Sequence, residues 1–148
     1  MTLEKSPPTL QLRKLWLMLG YLFAAIIVAL SLYPFAPIDY LPKWSDKVEH
    51  GLVHLALAGW FLQIYHGQRH WLLVSLACLA FGGTIELMQM LTPTRSAEWL
   101  DFAADGAGIL AAGVLIAATP LRFLLAGLEA RLLPHAGSEK SQVSPSRP

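Results

Sequence analysis

Acids and imidazoles recur at helical spacing in three otherwise apolar stretches of this chain: DKVEHGLVH (46–54), TIELMQ (84–89) and WLDFAAD (99–105). Asp46, His50 and His54 are successive i, i+4 neighbours, so a helix would carry all three on one face. Glu86 and Gln89 share a face at i, i+3, and Asp105 lies one turn beyond Asp101. Carboxylates, imidazoles and an amide in apolar surroundings offer three kinds of chemistry. They could hold a cationic or hydroxyl-rich head group, move a proton, or fix helix register as a hydrogen-bonded network. Lys47 and Arg95 add positive charge that would suit a phosphate.

Each group also has a structural explanation. Asp46 could cap a helix with Glu49 reaching back, a variant of the capping box. Asp101 could compensate the dipole of a helix first turn. Glu86 and Arg95 could form a pair that pins two helices. Capping leaves the i, i+4 histidines unexplained, and chance does not readily put such residues on three segments at matched depth.

The elements that must position these groups follow from composition. The chain has 148 residues, 55% of them hydrophobic and only 14% charged, with a mean hydropathy of +0.48. A soluble domain carries about 25% charged residues, so most of this chain has lipid as its solvent. Four spans near the ~20-residue crossing length can be drawn: Leu15–Tyr33, Lys47–Tyr65, Trp71–Leu91 and Asp101–Thr119. The expected architecture is an all-α, four-helix transmembrane bundle with both termini cytoplasmic. Eight of the eleven basic residues then lie inside, and seven of the ten acids outside, as the positive-inside rule requires. Trp16 and Trp71 mark inner boundaries, Trp44 and Trp99 outer ones, and Trp60 falls mid-span as a packing residue. On this frame Glu86 lies roughly 7 Å below the outer boundary, level with His54 and Asp105. Asp46, Lys47, His50, Gln89, Arg95 and Asp101 lie nearer that boundary.

Residues 1–14 read as a disordered cytoplasmic arm and 15–119 as the membrane domain. Pro34 ends the first span. The small residues Ala104, Gly108 and Ala112, four apart, allow close helix approach in lipid. After Pro120, Leu121, Leu124, Leu125, Leu128 and Leu132 form one stripe, with Arg122, Glu129 and Arg131 mostly off it. A short interfacial helix is expected over 120–133, followed by a disordered tail over 134–148. The lone Cys78 reads as a small buried apolar residue.

These residues resemble the VanZ-like family of small bacterial membrane proteins. The family pattern has D-K-x-x-H at the start of one span, here Asp46, Lys47 and His50. E-x-x-Q follows near the end of another, here Glu86 and Gln89, with an arginine a few residues later, here Arg95. A D-x-x-x-N element leads into a glycine-rich last span. Here it is Asp101, with Asp105 in the place usually held by asparagine, followed by Gly106 and Gly113. SLYP (31–34) is similar to the family's end of the first span, and the resemblance covers roughly residues 15–118. His54 stands where an aromatic residue is common, as a partner for the departing Asp105. The resemblance implies an outer-leaflet, cell-envelope setting in the inner membrane and an association with resistance to teicoplanin, a lipid-tailed glycopeptide. It implies no reaction.

The expected function is therefore an outer polar pocket, formed by Asp46, Lys47, His50, His54, Glu86, Gln89, Arg95, Asp101 and Asp105, that binds a membrane lipid or lipid-linked molecule. Two alternatives stay open. One is an enzyme on a lipid-linked substrate, with His50 as base, Asp46 or Asp101 orienting it, and Arg95 stabilising negative charge. The other is a ligand-free structural network. Metal ligation by His50, His54, Glu86 and Asp105 is weighed within the enzyme reading and not adopted. Against the enzyme reading, the sequence has no phosphate loop, nucleophile elbow or paired-cysteine motif; no cofactor and no nucleic-acid partner are expected. Four short spans with polar groups at one end offer a transporter no path, and the sequence leaves the oligomeric state open.

Overall fold

A computed structural model describes residues 9–33, 42, 44–91 and 98–133. Every regular element among them is helical: α1 (Arg13–Leu32), α2 (Ser45–Ile64), α3 (Gln68–Gln89), α4 (Trp99–Ala118), a 3-10 turn (Pro120–Phe123) and α5 (Leu124–Leu132). Three helices, α1, α3 and α4, are long and apolar enough to cross a membrane. α2 is as long, but Asp46, Lys47 and Glu49 occupy its first turns. The helices start two or three residues before the spans drawn from hydropathy. Their polar first turns are helical even though they add no apolar length.

α1 ends at Tyr33, whose extended backbone (φ −71°, ψ 131°) is what the following Pro34 favours. α2 and α3 are joined by Tyr65–Gly67, and Gly67 has φ +91°, a value that glycine adopts without a Cβ clash.

The closest helix pair is α2 with α4. A Cβ on Gly108 would overlap the Gly51 carbonyl oxygen and come within 3.0 Å of the Leu55 N. One turn away on each side, Ala104 O faces Gly51 and Ala112 faces Gly59. The small-residue row of α4 thus lies along a matching row of α2, so the backbones nearly touch. The buried core continues from there through Leu57, Ala58, Leu62, Ile85, Ile109 and Ile116.

A second cluster, Trp16, Ile64 and Leu125, closes the opposite end of the bundle from the acidic segments. Trp60 does more there than pack. Its Nε1 donates to the Trp16 carbonyl at 2.9 Å, and the two indoles meet edge to face at 5.9 Å.

Four expectations change. Residues 9–14, drawn as part of a disordered arm, are among the described residues, and α1 begins at Arg13. Glu129, expected off the apolar stripe, is buried. Its carboxylate accepts from Gln11 N and Leu12 N at 2.8 Å each, and from Trp16 Nε1 at 2.7 Å. The two amides lie just before α1, whose N-cap residue, Leu12, supplies no side-chain acceptor of its own. The leucine stripe also divides: Leu125 is buried, while Leu121, Leu124, Leu128 and Leu132 are exposed. Finally, Asp46 does not cap α2. The helix starts one residue earlier, at Ser45, without a side-chain cap, and the Ser45 hydroxyl donates to the Pro42 carbonyl at 2.7 Å.

Candidate functional site

The N-termini of α2 and α4 and the C-termini of α1 and α3 meet at one end of the bundle. Lys47 Nζ of α2 reaches Asp101 Oδ1 of α4 at 2.6 Å and Glu98 Oε2, just before α4, at 2.6 Å. Its contact with Asp46 is looser, 3.4 Å. On α3, Glu86 Oε2 accepts the Glu98 backbone N–H at 3.2 Å. Gln89 Nε2 donates to the Ser31 carbonyl of α1 at 3.1 Å.

Asp105 is the centre of the arrangement and is wholly buried. Its Oδ1 lies 3.0 Å from His50 Nδ1 and 2.7 Å from His54 Nδ1. His54 Nδ1 is also 3.2 Å from the His50 carbonyl oxygen, which can only accept, so we assign the hydrogen of His54 to Nδ1. His50 Nδ1 faces the same carboxylate and, at 3.8 Å, Glu86 Oε1. With its Nδ1 held by Asp105, His50 keeps Nε2 for a further partner.

Room for this carboxylate comes from Gly82 on α3. A Cβ there would collide with Asp105 Oδ2 and stand 2.9 Å from His54 Nε2. Both of those atoms are buried without a hydrogen-bond partner among the described residues, as is Glu86 Oε1. Buried polar atoms without partners are costly and ordinarily few.

Six of the expected pocket residues therefore lie in direct contact with another of the set: Asp46, Lys47, His50, His54, Asp101 and Asp105. Glu86 borders them through His50. Gln89 is buried one turn from Glu86, and its bond to Ser31 ties α3 to α1. Arg95 lies outside the described residues. Two residues were missed by sequence reasoning. Glu98 pairs with Lys47, and its signal was an acid placed three residues before Asp101. Gly82 gave no such signal, because a glycine in an apolar helix reads as a packing residue.

The geometry also revises assigned roles. Lys47 is taken up by two close carboxylates, which leaves it poorly placed to hold a phosphate. The residue orienting His50 is Asp105, in place of Asp46 or Asp101. In the donor set weighed for a metal, both imidazoles meet Asp105 through one oxygen, and Glu86 Oε1 stands 3.8 Å from His50 Nδ1. Among the described residues, the group whose potential ligand atoms lie within 4.8 Å of one another is Asp46, His50 and Asp101. Lys47 already supplies that group with a cation.

Beside this network a cleft of about 370 Å³ opens between α3 and α4. Leu87, Met90, Trp99 and Phe102 form its apolar walls, and Glu86 and Glu98 its polar end. Leu87, Met90 and Trp99 are each more than half exposed, so the cleft faces outward from the bundle. Comparison of the chain with models of protein families, with curated proteins and with solved structures gives no match.

Proposed function

We propose that this chain is a four-span integral membrane protein of the cell envelope that binds an amphipathic or lipid-linked molecule at its acidic end. In this reading it sits in the inner membrane with both termini cytoplasmic, and α2 is the fourth span. Charge supports the orientation. Among the described residues the acidic end carries Asp46, Glu49, Glu86, Glu98, Asp101 and Asp105 against Lys47, and the other end Arg13, Lys14, Arg69, Arg122 and Arg131 against Glu129. Basic residues favour the cytoplasmic side.

The observation that carries the binding reading is the α3–α4 cleft itself, apolar along its walls and ending at Glu86 and Glu98 beside the buried network. Glu86 Oε1 is buried without a hydrogen bond among the described residues and lies 3.8 Å from His50 Nδ1, so the cleft ends on the polar network. The ligand has an apolar chain along Leu87, Met90 and Phe102 and a hydroxyl or ammonium head group facing Glu86 and Glu98. The resemblance to VanZ-like proteins agrees with an outer-leaflet site and extends the proposal to a part in glycopeptide resistance.

Native mass spectrometry of the protein purified from membranes, wild type against Glu86→Gln, tests this. A retained amphiphile on the wild type, reduced at least several-fold in the variant, is expected. Equal retention, or none on either, would overturn the reading.

One observation favours a second reading, an enzyme acting on a lipid-linked substrate. The Asp105–His50 pair fixes one ring nitrogen and leaves the other as a general base. It predicts that His50→Ala retains the amphiphile but stops its turnover, whereas a binder shows no turnover in either form.

A further inference from the structure

A second groove lies at the opposite end of the bundle. It runs between α1, α2 and α3, has a volume of about 430 Å³, and is walled by Tyr21, Leu57, Phe61, Leu73, Cys78 and Phe81. Ala24 and Ala77 also line it, and these small side chains help leave the space open. α1 lies close against α2 at Gly20, where a Cβ would stand 2.8 Å from the Phe61 ring.

The groove has a polar mouth. Tyr65 and His70 form its end, with their rings stacked at 6.3 Å. The Arg13 guanidinium lies over the Tyr65 ring, 5.0 Å from its centroid. His70 Nδ1 is 2.9 Å from the His66 carbonyl oxygen, an acceptor, so Nδ1 carries the hydrogen and Nε2 is left for an outside partner. Arg13 and His70 are exposed at this mouth, and Lys14 and Arg69, their neighbours in sequence, are exposed as well. The acid at this end, Glu129, is buried under α1 and bound by three N–H groups. The positive field reaches the neighbouring turn: partial burial first, and then the Arg13 charge, hold His66 below the ordinary imidazole value.

We propose that this groove seats one acyl chain of an anionic phospholipid, whose phosphate is held at the mouth by Arg13 and His70. A long apolar slot capped by exposed cations matches that ligand in shape and charge. A guanidinium can take two phosphate oxygens at once, and tyrosine is at home at the level of the head groups. The site is separate from the acidic cluster. It needs the helices to lie in lipid but does not depend on what the α3–α4 cleft binds.

The test uses the full chain in nanodiscs of phosphatidylcholine, titrated with phosphatidylglycerol and followed by native mass spectrometry and thermal unfolding. Wild type should retain phosphatidylglycerol over phosphatidylcholine by roughly fivefold or more, the preference one basic contact supplies. Arg13→Gln should remove most of that preference, and Arg13→Lys should keep much of it. Ala77→Phe, which fills the groove from an exposed position on α3, should weaken retention of both lipids while the protein stays folded. Equal retention of the two lipids by wild type overturns the proposal. So does an undiminished preference in Arg13→Gln, or a dimer that buries Ala77 in place of lipid.

Discussion

Asp105 concentrates the problem that any ionisable residue meets in apolar surroundings. A lone buried carboxylate is costly, and two imidazoles on a single oxygen are the means by which this one is accommodated. The arrangement depends on an absent methyl group. Gly82→Ala should push Asp105 off its partners and cost about 1–3 kcal/mol through overpacking, despite the better helix propensity of alanine. Gly113 provides the comparison, since nothing lies within 4 Å of a Cβ there. Gly113→Ala should be neutral or gain up to about 1 kcal/mol. Thermal unfolding of the two variants in one detergent checks both, and a Gly82→Ala protein as stable as Gly113→Ala would remove the steric argument.

At the scale of elements, the α2–α4 contact sets the rest. Lys47, His50 and His54 on α2 reach Glu98, Asp101 and Asp105 because Gly108 lets the two backbones meet at Gly51. The obstruction at Gly108 is backbone, which cannot turn aside as a side chain can. Gly108→Ala should therefore cost about 3 kcal/mol or more and loosen the polar cluster as well. Loss of a bound amphiphile together with a lowered unfolding temperature is the expected outcome. A variant with unchanged stability and binding would show that close approach is not required.

Among the described residues the molecule is electrically two-ended, with all the acids but Glu129 gathered at one end of the bundle and the arginines at the other. If the chain spans the membrane as proposed, those ends lie in different compartments. In a Cys78→Ala background, a cysteine at Trp99 (88% exposed) should react with a membrane-impermeant thiol reagent added outside. A cysteine at Gln68, exposed at the basic end, should react only after the membrane is opened. Labelling of both from outside, or the reverse order, would refute the topology. The two proposed lipid-facing sites would then also face the two leaflets: the acidic cleft in the outer one, and the α1–α2–α3 groove with its arginine in the inner one.

Much of this was legible in the sequence because it rests on local rules. Hydrophobic runs fixed the number and approximate bounds of the long helices. Helical spacing put Asp46, His50 and His54 on one face, and the row Ala104–Gly108–Ala112 announced a close approach by α4. Polar first turns escaped hydropathy, so every long helix began earlier than drawn. What local rules cannot contain is the choice of partner across space. Nothing near Glu129 indicates that its carboxylate binds the backbone amides leading into α1, more than a hundred residues away. Nothing near Gly82 indicates that it makes room for Asp105. Lys47 could have served a ligand until the fold placed Glu98 and Asp101 against it. Residue type and spacing decide which groups a helix face can offer. Only the packed bundle decides which of them meet, because burial makes each polar atom find whatever partner the neighbouring backbone brings within reach.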